Sequence, residues 1–305
     1  MKMKIHPLRL PKRKKTDHAK AARWKRRRLK YIAVIPSIIT MMNGACGFMA
    51  IVFASRSPEL RFGFFLMRDY NVTPFVLAAY MVFLAMVADV LDGRIARLTR
   101  TTSSFGGQLD SLADAISFGA APAFIMLKLV EYHMGYIEFE NLTAATFIER
   151  IVFFSAIFFT MCAIVRLARF NVENDEDILA HMNFSGLPSP SAAGVVVSLI
   201  IFHQQFLLGL SDRTIMMITV FALPVITFLT GILMVSRIKY PHLANQLLRS
   251  KKTLPSLLLI FTTGFFLIWN IQLTLAVGFC GFALSGVLRW IFNGIFRKKT
   301  PKLTA

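Results

Sequence analysis

Residues 81–98 read MVFLAMVADVLDGRIARL, and residues 105–124 read FGGQLDSLADAISFGAAPAF. The first stretch closes a long apolar run with two carboxylates, Asp89 and Asp92. The second opens another apolar run with two more, Asp110 and Asp114. An unpaired aspartate in the hydrocarbon of a bilayer costs roughly 2.5–3.5 kcal/mol even on lenient insertion scales, so four of them require a reason. Asp89 and Asp92 are three residues apart, and Asp110 and Asp114 are four apart. Each pair therefore shares a helix face. A short loop at 99–106 lets the two helices run antiparallel and turns the pairs toward each other. Four converging carboxylates repel unless cations lie between them, and hard oxygen ligands suit Mg²⁺ or Mn²⁺. Gly93 and Gly106 leave room for a ligand near the backbone.

Working outward, the chain repeats the apolar theme. Of its 305 residues 55% are hydrophobic, with 29 Phe, more apolar surface than a soluble protein of this size hides. Spans of about 20 residues are expected near 31–54, 74–98, 111–133, 150–172, 189–210, 214–235, 254–270 and 272–293. The expected fold class is an all-α polytopic membrane helix bundle, with a basic tail over 1–30, a core over 31–235 and an additional helical pair with a basic C-terminus over 236–305. The net charge of +19 is uneven: residues 1–30 hold 14 Lys/Arg against one acid, Asp17. Basic stretches around Arg97 and Arg100, from Arg237 to Lys252 and from Arg297 to Lys302 alternate with acidic or neutral loops. That alternation predicts both termini in the cytoplasm. The tail reads as a topology signal and an anchor on anionic lipid. Nucleic-acid binding is excluded because a membrane span, not a recognition fold, follows it. Cys46, Cys162 and Cys280 each sit in an apolar run as packing residues, and the six histidines suggest no metal cluster.

The aspartate pairs belong to a longer pattern: Asp89-x-x-Asp92-Gly93-x-x-Ala96-Arg97, eight residues, then Gly106-x-x-x-Asp110-x-x-x-Asp114. This resembles the full motif of the CDP-alcohol phosphotransferase family, with all eight defining positions at the family spacing. Further stretches are similar to the bacterial and archaeal phosphatidylserine synthases of that family. These are IPSIITMMNGACGFMAI with Thr40, Asn43 and Gly47, the run from Phe105 to Ala123, RLARFN at Arg166–Asn171, and FSGLPSPSAAG at Phe184–Gly194. The resemblance covers roughly 30–200. It implies a six-helix family core, with the last two helices and the basic tail outside it, and a homodimer in the cytoplasmic membrane.

The resemblance also implies the chemistry. A phosphatidyl group would pass from CDP-diacylglycerol to a hydroxyl, that of L-serine, with release of CMP at the cytoplasmic side. Asp89, Asp92 and Asp110 would ligate two divalent ions, Mg²⁺ or Mn²⁺, with Asp114 close to one of them and acting as general base. Gly93, Ala96 and Gly106 would shape the cytidine pocket, and Arg97 would meet a phosphate, which a guanidinium fork suits. Arg166 and Arg169 are candidates for the serine carboxylate, and Asn43 and Ser117 for its amine or the pocket wall. GLPSPSAAG reads as a turn and close-packing segment. Glycerol 3-phosphate, inositol or choline is the alternative acceptor. An ion-coupled transporter would use intramembrane aspartates differently and calls for repeats and helices broken at mid-membrane, which the sequence lacks.

Overall fold

The computed structural model describes residues 36–57, 72–99, 104–137, 142–176, 186–207, 213–238, 240, 266 and 270–296. Among these residues all regular structure is helical, with no strand. We number the helices α1 (Pro36–Ala54), α2 (Pro74–Thr99), α3 (Ser104–Asp114, a π-helical stretch Ala115–Ala120, then Ala121–Met134), α4 (Leu142–Glu176), α5 (Ser189–Phe202 with a π turn His203–Leu207), α6 (Arg213–Val235) and α7 (Ile271–Phe296). Six of the seven, all but α5, are long and apolar enough to cross a bilayer. Large apolar side chains stand exposed along them, including Met41, Phe48, Leu84, Phe153, Phe154, Phe221 and Leu288. With no aqueous way to tolerate so many, this outer surface faces lipid, and the protein is an integral membrane helix bundle.

The remaining helix, α5, shows why the bundle holds together. α5 is apolar on every side, and a helix of that kind belongs in an interior. Ala192, Ala193, Val196, Val197, Ile200 and Ile201 are all buried, and α5 packs against α2, α3, α4, α6 and α7. Its entry is set by the segment Gly186–Pro188. Gly186 adopts φ +96°, and a Cβ there would run into the backbone of Met234, so only glycine fits. The Gly186 and Leu187 amides donate to the Ile238 and Leu233 carbonyls at 2.9 Å each, docking the turn on the end of α6. Pro188 then starts α5, with Ser189 fully buried in its first turn.

Two features position the aspartates. The buried stripe of α2 is Phe75, Ala78, Ala79, Val82, Ala85 and Ala88, and it ends on Asp92. Small residues at that repeat let neighbouring helices approach closely, so the stripe brings the carboxylates inward with it. α3 carries its π-helical stretch immediately after Asp114 and just before Pro122, whose ring has no N–H to offer the helix ladder. Such one-turn widenings gather at functional sites.

The element boundaries amend the sequence reading. The third helix begins at Ser104 rather than 111, so Asp110 lies inside a formed helix and the α2–α3 connection is shorter than 99–106. The fourth runs Leu142–Glu176 rather than 150–172, because its polar first and last turns continue the same helix. The last expected span is present as α7, whose Phe279 and Phe282 pack on the core. The expected span at 254–270 and the tail 1–30 lie outside the described residues, apart from Phe266 and Asn270.

Candidate metal and nucleotide centre

Asp89 and Asp92 come from the second half of α2, and Asp110 from the second turn of α3. One carboxylate oxygen from each lies within 4.8 Å of the others. At an effective dielectric of about 20, two unit charges at that range repel by roughly 3–4 kcal/mol. Three such pairs would force these helices apart unless positive charge lay among them. Asp92 is only 4% exposed, and Asp110 Oδ1 is buried without a hydrogen-bond partner among the described residues. Buried acceptors are nearly always satisfied, so an orphaned oxygen on a carboxylate that meets two others marks a place for a cation. The donor set is all carboxylate oxygen, the chemistry of Mg²⁺, Mn²⁺ or Ca²⁺ sites rather than of thiolate or imidazole metals. The residues therefore fit a hard divalent ion.

The fourth carboxylate is held differently. Asp114 is 8% exposed, and its Oδ1 accepts a 2.8 Å hydrogen bond from Asn43 Nδ2 on α1. Thr40, three residues earlier, donates to Asp92 Oδ2 at 2.7 Å. Ser117 Oγ, within the π stretch, donates to the Asn43 carbonyl at 2.8 Å.

A basic side wall completes the site. The Arg166 guanidinium, half-buried on α4, donates from Nη1 to Ser189 Oγ at 2.6 Å. It lies near enough to attract both Asp114 and Asp89 electrostatically. Its Nε is buried without a hydrogen-bond partner among the described residues. One turn further along α4, Asn171 exchanges hydrogen bonds with Ser111 of α3 at 2.9 and 3.1 Å, tying the two helices beside Asp110.

The sequence profile of the CDP-alcohol phosphatidyltransferase family matches residues 33–230. The chain belongs to that family. Its similarity to two curated relatives covers most of both chains. The CDP-diacylglycerol–serine O-phosphatidyltransferase of Helicobacter pylori (strain ATCC 700392 / 26695) is 32% identical over 262 residues, 85% of this chain and 92% of the relative. The protein of the same name from Methanocaldococcus jannaschii is 28% identical over 270 residues, 88% of this chain and 96% of the relative. That of Saccharomyces cerevisiae is 35% identical over 166 residues, about half of each chain.

The remaining motif positions expected from the sequence lie on the same two helices as the carboxylates. Gly93 and Ala96 lie half-buried on α2, and Gly106 half-buried in the first turn of α3. Arg97 is exposed, and its Nη2 lies 4.0 Å from where a Cβ on Gly93 would stand, so this arginine folds back along its own helix over the glycine. Arg169 is exposed on α4, on the side away from the buried Leu167, whereas Arg166 turns inward. Ser117 is fully buried and its proton is committed to the Asn43 carbonyl, which makes it a tie between α1 and α3. Three contributors escaped the sequence reading as site partners: Thr40, Asn171 and Ser189. Each lay inside a quoted stretch, but only tertiary packing shows which carboxylate, hydroxyl or guanidinium it meets.

Proposed function

We propose that this protein transfers the phosphatidyl group of CDP-diacylglycerol to the hydroxyl of L-serine, giving phosphatidylserine and CMP. The observation that carries the reading is the carboxylate trio within 4.8 Å beside a half-buried arginine, in a family member whose near full-length relatives bear that activity in their names. Asp89, Asp92 and Asp110 would hold two divalent cations, Mg²⁺ or Mn²⁺, with Asp114 close by. Bound there, the cations supply charge neutralisation for the diphosphate and for departing CMP.

The chain's own residues do the rest. Gly93, Ala96 and Gly106 give the cytidine moiety access to the helix backbones, and Arg97 meets a phosphate. The Arg166 fork, steadied by Ser189, takes the serine carboxylate through a charge-assisted contact, with Arg169 as the outer cation. Asn43 Oδ1, buried and without a partner among the described residues, accepts from the serine ammonium. Asp114 receives the hydroxyl proton as the serine oxygen bonds to the phosphorus that carries diacylglycerol and the bond to the CMP oxygen breaks. Apolar tails remain in lipid while the headgroup enters from the cytoplasmic side. In this reading both termini are cytoplasmic, the core 31–235 carries the reaction, and 236–305 and a homodimeric assembly are additions to it.

The test offers the purified protein CDP-diacylglycerol with serine, glycerol 3-phosphate, inositol or choline and follows CMP. Serine is expected to be used best. Preferential use of glycerol 3-phosphate would overturn the acceptor assignment while leaving the phosphotransfer chemistry standing.

A further inference from the structure

Tyr240 and α7 lie beyond residues 33–230, the stretch that the family profile matches. Tyr240 is nonetheless buried, and its ring fills a notch in α7. A Cβ on Gly286 would collide with that ring, and the ring of Phe282 lies against it with centres 5.6 Å apart. Its hydroxyl donates to the Ala283 carbonyl at 3.2 Å. Two residues before Tyr240, the Ile238 carbonyl accepts from the Gly186 amide, and the Leu233 carbonyl near the end of α6 accepts from that of Leu187, at 2.9 Å each. Those two bonds hold the turn from which α5 starts. The first residue of α5 is Ser189, whose Oγ accepts from Arg166 Nη1 at 2.6 Å. α7 also grips α5 itself. A Cβ on Gly194 would collide with the ring of Phe279, and Gln272 donates to Gln205 at 2.9 Å at the far end. The position of α5, and of the hydroxyl it presents to Arg166, is therefore set from α7.

We infer that Tyr240 is a positioning residue for the acceptor: anchored in α7, it holds Ile238 and the Gly186 turn so that Ser189 keeps the Arg166 guanidinium in place. The inference rests on the reading above, in which Arg166 takes the serine carboxylate. A guanidinium on a long stem loses rotamer freedom when it binds, and a hydrogen bond already in place lowers that cost. Ser189 Oγ supplies such a bond from a fully buried residue. A turn that shifts carries this oxygen with it, and a misplacement of about 1 Å is enough to lower activity by up to about 100-fold. The carboxylate trio stands on α2 and α3, so the effect falls on the acceptor and spares the cations. Arg166 contributes serine binding rather than the chemical step, so its loss of position appears in KM.

The experiment uses the full chain in detergent with Tyr240→Ala, Tyr240→Phe, Arg166→Ala, and Tyr240→Ala combined with Arg166→Ala. Serine KM and kcat are read from CMP release at saturating CDP-diacylglycerol, Mn²⁺ affinity by electron paramagnetic resonance, and folding by thermal unfolding. Tyr240→Ala is expected to raise the serine KM by about tenfold, with kcat and Mn²⁺ affinity within about twofold of the wild type. Tyr240→Phe keeps the ring in its notch and is expected to hold KM within about threefold. In the Arg166→Ala background, Tyr240→Ala is expected to raise KM by no more than about a further twofold, because residues that act through one group are not additive. If Tyr240→Ala fails to fold, Gly286→Ala, which pushes the ring out of its notch, poses the same contrast. An unchanged serine KM in Tyr240→Ala, a parallel fall in kcat and Mn²⁺ affinity, or full additivity with Arg166→Ala would overturn the role of Tyr240. A serine KM untouched by Arg166→Ala itself would instead overturn the reading on which that role rests.

Discussion

Two buried polar clusters lie at opposite ends of this bundle, and they are built from opposite materials. On α3, Asp110 and His133 are separated by 23 residues, about 35 Å along a helix. At the aspartate end the polar atoms are anionic oxygens, crowded within 4.8 Å and served by hydrogen bonds from α1. At the histidine end the groups are neutral. His133 and His203 pack edge to face with ring centres 4.8 Å apart, and Thr73 Oγ1 donates to Gln204 Oε1 at 3.1 Å. Gln272 Nε2 donates to Gln205 Oε1 at 2.9 Å. The ring nitrogens of both histidines lack hydrogen-bond partners among the described residues, as does one oxygen of Asp110. The consequence differs. Unpaired neutral nitrogens cost desolvation and nothing more, whereas adjacent unpaired carboxylates repel over distance and call for cations. Burial of polar atoms does not by itself mark a catalytic end; uncompensated charge does.

The comparison breaks most visibly through the carboxylates. Asp110→Asn removes one ligand charge and is expected to lower CMP release by about 10³-fold or more, since cations at such sites supply several kcal/mol of charge stabilisation. Asp114→Asn is expected to abolish turnover to a similar degree while sparing CDP-diacylglycerol binding, measured by titration of the nucleotide lipid. Equal loss of binding in the two variants would show that the fourth carboxylate is a ligand like the rest.

A smaller effect is expected at the basic wall. Arg166→Ala leaves the serine carboxylate without its charged partner, a loss of about 1.5–3 kcal/mol. That corresponds to a fall of roughly ten- to hundredfold in kcat/KM for serine. Arg166→Lys recovers only part of it, because a point charge does not reproduce a planar fork. Unaltered serine kinetics in both variants would assign the carboxylate to another residue.

The smallest effect belongs to the neutral end. His133→Phe keeps the edge-to-face contact with His203 and removes two unpartnered nitrogens. CMP release is expected to stay within about twofold, with thermal stability equal or raised, because replacing an unsatisfied polar group by an apolar one of similar shape is near neutral or favourable. A large loss of activity would mean that the two ends are coupled.

How much of this the sequence reveals follows the same division. The carboxylates were legible because charge inside an apolar run is costly, and the spacing of three and four residues is enough to put each pair on one face. The helices that face lipid were legible as well, since their lengths answer to the thickness of the bilayer. α5 was found too, although its role as the buried centre was not, because an apolar helix inside a protein and one in lipid look alike in sequence. The π-helical stretch after Asp114 and the meeting of His133 with His203 gave no local signal. Neither did the pairing of Thr40 with Asp92, 52 residues away, which depends on the rotation of α1 against α2. Arg166 and Arg169 looked equivalent at a spacing of three, and the packing of α4 against α5 separates them.

The most direct test of the central claim, that the aspartate end is a divalent-cation site for phosphotransfer, is CMP release from CDP-diacylglycerol and serine by the purified protein as metal is removed and returned. Activity is expected to vanish in excess EDTA, to return with Mg²⁺ or Mn²⁺, and to fail to return in Asp110→Asn at the cation concentration that restores the wild type. Full activity of the wild type in excess EDTA would contradict the account.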